Sequence, residues 1–430
     1  MKGKIFLPGD KSIAHRALIL SAISSQKTRI YNLPNNDDCL ATINCLKSLG
    51  IKIKSKKGYI EVFGKGLYGL KRPVKPISAK ESGTTFRLLL GILSGQSFRS
   101  KLTADKSLSQ RPMLRVTKPL RMMGAVITAK RKTKNSKLEE YAPVSVSGGN
   151  LLGIKYKMPV ASAQVKSAIL LAGLFAKGQT QVLEPNKSRD HTERMLKLFQ
   201  AAVKTKNNLV SITGNKELVS PLKINIPGDV SSATFFAVAA AILKDSKVLL
   251  KNISLNPSRI GALRVLKGMG VDIKIKNEKL KTKNSEPAGD ILVQSSKLKG
   301  IKVKRSEIPF LIDELPILMV AACFAEGKTT FEGVGELRVK ETDRINSMTD
   351  NLKKMGAKIK ILKVRNCEDI IIQGVKQLKG ASLKSFGDHR TAMSLVIAGL
   401  AANKVNKIDD LNCIGKSFPG FLTTLKELGQ

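Results

Sequence analysis

The chain has 430 residues, 75 Lys and Arg against 33 Asp and Glu, a formal net charge of +42, no Trp and 4% aromatic residues. Single cores stop growing at roughly 250–300 residues, so this length excludes one domain and predicts two. A charge of this size draws polyanions; yet the excess is Lys dispersed along the chain, as at Lys52, Lys54, Lys56 and Lys57, with few aromatic rings for base stacking, so no specific nucleic-acid partner is expected. The apolar runs ILLAGLFA from Ile169, ATFFAVAAAIL from Ala233 and LPILMVAACFA from Leu315 fall short of the ~20 residues of a membrane span and read as buried helices. Cys39, Cys45, Cys323, Cys367 and Cys413 are scattered, odd in number and without metal-ligand spacing, as expected of reduced structural thiols. Met1 stands close to the first motif, which leaves no room for a targeting peptide and predicts a cytoplasmic protein.

The first element in chain order, LPGDKSIAHRALILSA from Leu7 to Ala22, joins a Pro8-Gly9 turn to an apolar helix that Asp10 can cap. Lys11, Ser12 and Arg16 then lie at a helix N-terminus, where orphan N–H groups and the positive dipole end favour a phosphate or carboxylate. The opening helix is predicted over Ser12–Ser24, a strand near Thr28–Leu33, a second helix up to Leu49-Gly50 and a strand over Ile51–Lys54.

This arrangement recurs. The second copy opens at Glu81-Ser82-Gly83 and closes at Met123-Gly124, and the third opens at Ser162-Ala163-Gln164, with its second helix over His191–Phe199. Pro227-Gly228-Asp229 then repeats the PGD turn and starts a fourth copy that closes at Met269-Gly270. The fifth runs from Ile312-Asp313-Glu314 to Met355-Gly356, and the sixth from Gly387-Asp388-His389 to Leu428-Gly429. Six copies of strand–helix–strand–helix predict an α/β protein of two halves with three copies each. Because the two PGD turns precede equivalent helices, the N-terminal strand is expected in the second half, the chain crossing twice between domains made of 1–11 with 226–430 and of 12–225. Opening helices that all point their N-termini at an interdomain cleft would build an anion site there.

Several motifs carry no chemistry. Gly64-Lys65-Gly66-Leu67-Tyr68-Gly69 matches a dinucleotide fingerprint, but Pro73 and Pro76 prevent a following helix, so it reads as a turn. Gly327-Lys328-Thr329 and Gly415-Lys416-Ser417 lack the first Gly of a phosphate loop, since Ala322 and Asp410 stand there. His15, His191 and His389 have no partners at metal-ligand spacing, and there is no GxSxG nucleophile elbow. What remains is a set of cations at the openings of the copies: Lys340 and Arg344 around Glu341, Arg390 beside His389, Arg111, and Lys416, with Asp313 as an acid before an apolar helix.

The ordered set PGDKSIAHR, SGTTFRL, SLSQRPM, SAQVKSA, SRDHTE, DELP, RVKETDR, GDHR and GKSF resembles the 5-enolpyruvylshikimate-3-phosphate synthase family over nearly the whole chain. The resemblance implies an inside-out α/β barrel pair, each domain made of three βαβαββ repeats, with the active site in the interdomain cleft. It implies transfer of the enolpyruvyl group of phosphoenolpyruvate to the 5-hydroxyl of shikimate 3-phosphate on the way to chorismate, by a monomer that uses no metal or organic cofactor. By the same resemblance Lys11, Ser12, Arg16, Ser162, Ala163, Gln164 and Arg189 hold shikimate 3-phosphate, with Asp313 and Lys340 at its hydroxyls. Phosphoenolpyruvate lies against Lys11, Gly83, Arg111, Gln164, Arg344, Arg390 and Lys416. The domain of 12–225 mainly binds shikimate 3-phosphate, and the other carries Asp313, Glu341 and the cations for phosphoenolpyruvate. Asp313 is implied at the reacting hydroxyl and Glu341 at the methylene carbon, with Lys11 and His389 helping to move protons, because one carboxylate cannot serve both places at once.

The sequence departs from the family at Glu81, where Asn is common, and at Ala104, where Gly is common. A carboxylate at Glu81 would repel both substrates unless Lys80 or Lys11 pairs with it. Ala163 follows the SAQ branch of the family. The alternative acceptor, UDP-N-acetylglucosamine, belongs to a sister transferase with an SGAKN-type opening and a reactive Cys on the loop that here reads Thr103 to Arg111 and has none.

Overall fold

The computed structural model describes residues 1–134, 137–279, 286–364 and 367–429. These form two compact units, one of Lys11–Ile226 and one of Met1–Asp10 with the described residues from Pro227 onward. Both boundaries fall one residue from the expected ones. Lys11 opens a helix buried in the first unit, and the Ile226 N–H donates to Tyr31 O there, so both residues leave the unit to which the sequence had assigned them.

The first unit holds three repeats of one plan: a leading strand, a buried helix, a strand in parallel with the leading one, an amphipathic helix and an antiparallel hairpin. Its helices are α1 (Lys11–Ala22), α2 (Asp37–Ser48), α3 (Gly83–Ser94), α4 (Leu114–Met122), α5 (Ala163–Gly173) and α6 (His191–Leu198). In the first repeat Lys27–Tyr31 pairs antiparallel with Tyr59–Phe63 and parallel with Lys223–Asn225, so the leading strand comes from the far end of the unit. The register sets Thr28 against Val62 and Ile30 against Ile60 on the buried face, while Lys27 and Arg29 face out, the period-two alternation of a half-buried strand.

The second unit contains α7 (Val230–Ile242), α8 (Gly261–Gly268), α9 (Leu315–Cys323), α10 (Arg344–Lys354), α11 (His389–Leu400) and α12 (Phe421–Gly429). Its first leading strand is Lys2–Phe6, which pairs in parallel with Lys247–Ser254. The Asp10 N–H donates to Pro227 O at 2.8 Å and the Asp229 N–H to Pro8 O at 3.0 Å, pinning the two PGD turns to each other. The sixth repeat departs from the expected plan: among the described residues Ser382–Leu383 and Lys407–Ile408 make a two-stranded sheet without a hairpin. Residues Phe421–Gly429 form α12, which packs against Lys2–Phe6 instead.

Each unit has its own apolar core. Every residue of α9 and all but the last of α7 are buried, because a helix apolar all round has no solvent face to offer. In the first unit α3 packs on α1 and α5, and in the second α9 packs on α7 and α11, leaving the sheets outside. The outer strand faces carry the cations, with Lys27, Lys52 and Lys54 lying over the Phe63 ring. Burial pushes the Cys45 and Cys323 thiols up to about 12, as befits inert core residues.

Candidate active site

The helix N-termini of the first unit meet through side chains. Lys11, the first residue of α1, places Nζ 2.6 Å from Asp38 Oδ2 in α2. Arg16 is buried one turn later and donates to Thr192 Oγ1 at 2.6 Å, Ser167 Oγ at 2.8 Å and Ser12 O at 2.8 Å, which ties α1 to α5 and α6. Asn36 caps α2 by accepting from Cys39 N, and Ser82 caps α3 by accepting from Thr85 N. A buried string of hydroxyls, Thr42 with Thr85 at 2.6 Å and Thr85 with Ser82 at 2.7 Å, reaches His15 Nδ1 through Thr42 at 2.7 Å.

At the start of α5, Gln164 Oε1 accepts from Arg87 Nη1 and Gln164 Nε2 donates to Thr84 Oγ1 at 2.9 Å. A Cβ on Gly83 would stand 3.1 Å from Arg111 Nη1 and 3.3 Å from Arg87 Nη1, so two guanidinium groups converge on the first residue of α3. Ser162 caps α5, Ala163 is its first residue, and Arg189 lies half-buried in the segment before α6. Beneath them Lys166 is buried between Glu184, 2.7 Å away, and Glu193, 2.6 Å away.

The second unit builds a denser set of charges. Asp313, just before α9, has Oδ1 3.2 Å from Lys340 Nζ and 3.6 Å from Arg344 Nη1. Arg344 is 1% exposed; its Nε donates to Asp388 Oδ2 at 2.9 Å and its Nη2 to Glu341 Oε2 at 2.6 Å. Asp388 caps α11 by accepting from Arg390 N at 2.7 Å and Thr391 N at 3.1 Å. Burial pushes the Asp388 carboxyl up, but the Arg344 and His389 charges and the Arg344 hydrogen bond hold it below the usual carboxylate range. Arg390 Nη1 donates to Asp313 O at 2.8 Å, His389 is buried at the first position of α11, and Lys416 Nζ donates to Gly387 O at 3.0 Å.

A family model described as EPSP synthase (3-phosphoshikimate 1-carboxyvinyltransferase) matches residues 1–425. The chain belongs to the EPSP synthase family. The 3-phosphoshikimate 1-carboxyvinyltransferase of Petrotoga mobilis is 49% identical over 431 residues, covering 100% of this chain and 97% of the relative, and that of Desulforamulus reducens is 46% identical with the same coverage. An EPSP synthase structure from Acinetobacter baumannii superposes with a TM-score of 0.86 at 42% identity, covering 99% of this chain and 95% of that one.

For a member of the EPSP synthase family, the sequence indicated most of the charged residues that the structure gathers. Gly83, Arg111 and Gln164 come together in one unit, and in the other Asp313, Lys340, Glu341, Arg344 and Arg390 are linked by ion pairs and hydrogen bonds, with Lys416 bonded to Gly387 O two residues before His389. Arg259 was missed. It is 3% exposed, donates from Nη2 to Ser231 Oγ at 2.6 Å and to Asp229 Oδ1 at 3.3 Å, and stands 3.7 Å from Asp10 Oδ2 and 3.8 Å from Glu314 Oε1. Ser231 also donates to Glu314 Oε1, so one guanidinium joins both PGD turns to the segment that carries Asp313. The only signal for it is an Arg in the otherwise small and apolar stretch Pro257-Ser258-Arg259-Ile260-Gly261-Ala262.

Proposed function

We propose that the protein transfers the enolpyruvyl group of phosphoenolpyruvate to the 5-hydroxyl of shikimate 3-phosphate and releases phosphate. The observation that carries this reading is the Asp313 carboxylate held between Lys340 and Arg344, with Glu341 on the other side of the same guanidinium. Two carboxylates on one cation sit in different settings, which suits an acid and a base that act at different atoms. No helix among the described residues is long and apolar enough to cross a membrane. On this reading the protein is a cytoplasmic monomer that acts on small molecules, with neither a metal or organic cofactor nor a specific nucleic-acid partner.

Asp313 takes the proton from the 5-hydroxyl as its oxygen bonds to C2 of phosphoenolpyruvate, and Glu341 delivers a proton to the methylene carbon. Glu341 then removes a proton from the resulting methyl group as phosphate leaves C2, restoring the double bond, while Asp313 returns the hydroxyl proton to the departing phosphate. Lys11 and His389 assist these transfers. Lys11, Ser12, Arg16, Ser162, Ala163, Gln164 and Arg189 serve shikimate 3-phosphate, with Lys340 at its hydroxyls. Lys11, Gly83, Arg111, Gln164, Arg344, Arg390 and Lys416 serve phosphoenolpyruvate. Cations in such number offset the mutual repulsion of two small polyanions, and donors already fixed by carboxylates need little reorganisation during the reaction.

Phosphate release from phosphoenolpyruvate, measured with each acceptor in turn, tests the reading. Release is expected with shikimate 3-phosphate and not with UDP-N-acetylglucosamine; the reverse pattern, or release with neither, overturns it.

A further inference from the structure

Glu81 precedes the Ser82 cap of α3, and both of its carboxylate oxygens are held by backbone. Oε1 accepts from Ser107 N at 3.0 Å and Oε2 from Leu108 N at 2.8 Å. These amides open the single 3-10 turn Leu108–Gln110, and the next residue, Arg111, donates its N–H to Leu108 O at 3.0 Å. The segment is tied again where Asp105 N donates to Lys80 O at 3.0 Å and Ser109 N to Asp105 O at 2.9 Å. Lys80 itself has φ +51°, a left-handed conformation that a residue with a side chain adopts at a cost.

The other end of the segment returns to the same place. Arg111 Nη1 lies 3.1 Å, and Leu108 Cδ1 3.3 Å, from where a Cβ on Gly83 would stand. Residues 81–83 therefore bind the start of the turn through Glu81 and lie beside the guanidinium that follows it. The expected partners of Glu81, Lys80 and Lys11, are not what binds these two oxygens, and Lys11 pairs with Asp38.

We propose that Glu81 is a positioning residue for phosphoenolpyruvate: its carboxylate fixes the 107–108 amides and so sets the Arg111 guanidinium over the N-terminus of α3. The inference rests on the proposed assignment of Arg111 and Gly83 to that substrate. A carboxylate suits the task because it offers an acceptor to each N–H, whereas an amide side chain turns its NH2 donor towards one of them. Two backbone donors also engage the negative charge, which limits the repulsion that the sequence predicted between Glu81 and an anionic ligand.

The test compares the parent enzyme with Glu81→Gln and Glu81→Ala in two arms. In steady-state kinetics the KM for phosphoenolpyruvate rises about threefold in Glu81→Gln and about tenfold in Glu81→Ala, the scale of one and then two lost hydrogen bonds seen through a neighbour. The KM for shikimate 3-phosphate and kcat stay within about 1.5-fold of the parent's, a split that general loss of folded protein does not produce. In amide hydrogen exchange, Ser107 and Leu108 exchange faster in Glu81→Ala while the core helices α3 and α5 keep the parent's protection. An unchanged KM for phosphoenolpyruvate, an equal rise in both KM values, or unchanged exchange at 107–108 overturns the proposal. A parent enzyme that releases no phosphate would overturn the proposed function instead, and the exchange arm would still decide whether Glu81 holds the turn.

Discussion

Glu341 Oε2 lies 2.6 Å from Arg344 Nη2, joining a 30%-exposed carboxylate to a guanidinium that is 1% exposed. Asp388 holds the same guanidinium from behind through Nε at 2.9 Å, so the carboxylate is oriented by a cation that is itself fixed. Glu341→Gln keeps the volume of the side chain but removes its proton chemistry. Turnover is expected to fall by about 10²–10⁴-fold, the range of a lost general acid–base group, while the folded protein still binds shikimate 3-phosphate. Solvent hydrogen should also enter the methylene of phosphoenolpyruvate more slowly; exchange as fast as the parent's would mean that Glu341 is only a partner for Arg344.

Lys11 opens α1 at the crossover between the units and is held by Asp38 at 2.6 Å. Lys11→Met should lower kcat by about a hundredfold or more, as expected when one electrostatic stabiliser of the reacting group is lost. Near-normal turnover in this variant would reduce the motif to a helix start.

Gly83→Ala places a methyl group 3.1 Å from Arg111 Nη1 and 3.3 Å from Arg87 Nη1. The flexible ends of these side chains can shift, so folding is expected to survive, but the donors move away from α3. The KM for phosphoenolpyruvate should rise more than that for shikimate 3-phosphate. Parallel rises would show that the position serves both substrates alike.

Arg259 is the buried cation facing Asp10, Asp229 and Glu314. Arg259→Met leaves these carboxylates without its charge, and breaking a buried pair in this way costs about 3–5 kcal/mol. Urea unfolding should show a lower midpoint for the unit that contains Arg259; an unchanged midpoint would show that the acids take up protons without cost.

Burial and the neighbouring Asp10 carboxylate push Asp229 up to about 6, against an ordinary value of 3.8, although Arg259 and Arg390 pull it down. The folded state therefore holds a proton that the unfolded state has released, and the associated stabilisation is complete below about pH 3.8 and lost as pH rises through about 6. Asp229→Asn retains an acceptor for Ser231 N but removes the titration. Its Tm should vary less than the parent's between pH 4 and 6; parallel pH profiles would assign that dependence to other groups.

Repetition made the order of elements legible, because each copy marks its start with a small polar turn and every copy but the third closes with Leu-Gly or Met-Gly. The hairpins were harder to read: Lys358–Val364 against Cys367–Gln373 and Val126–Lys134 against Lys137–Ser147 carry many polar residues on exposed outer faces. The missing hairpin of the sixth repeat was hidden by the same closing signal, Leu428-Gly429, that ends α12.

By itself the sequence determined the order and spacing of the candidate residues, since charged groups such as Lys340, Glu341 and Arg344, in and before the first turn of α10, keep a fixed spacing along the chain whatever surrounds them. Only the tertiary structure decided what those charges face. Asp313 belongs with Lys340 and Arg344, 27 and 31 positions away, and Glu81 with amides 26 and 27 positions on. Arg259 faces Asp10 and Glu314, 249 positions before it and 55 after. Such pairings depend on which repeats pack side by side, and a local pattern holds no information about distances that the chain closes only by folding.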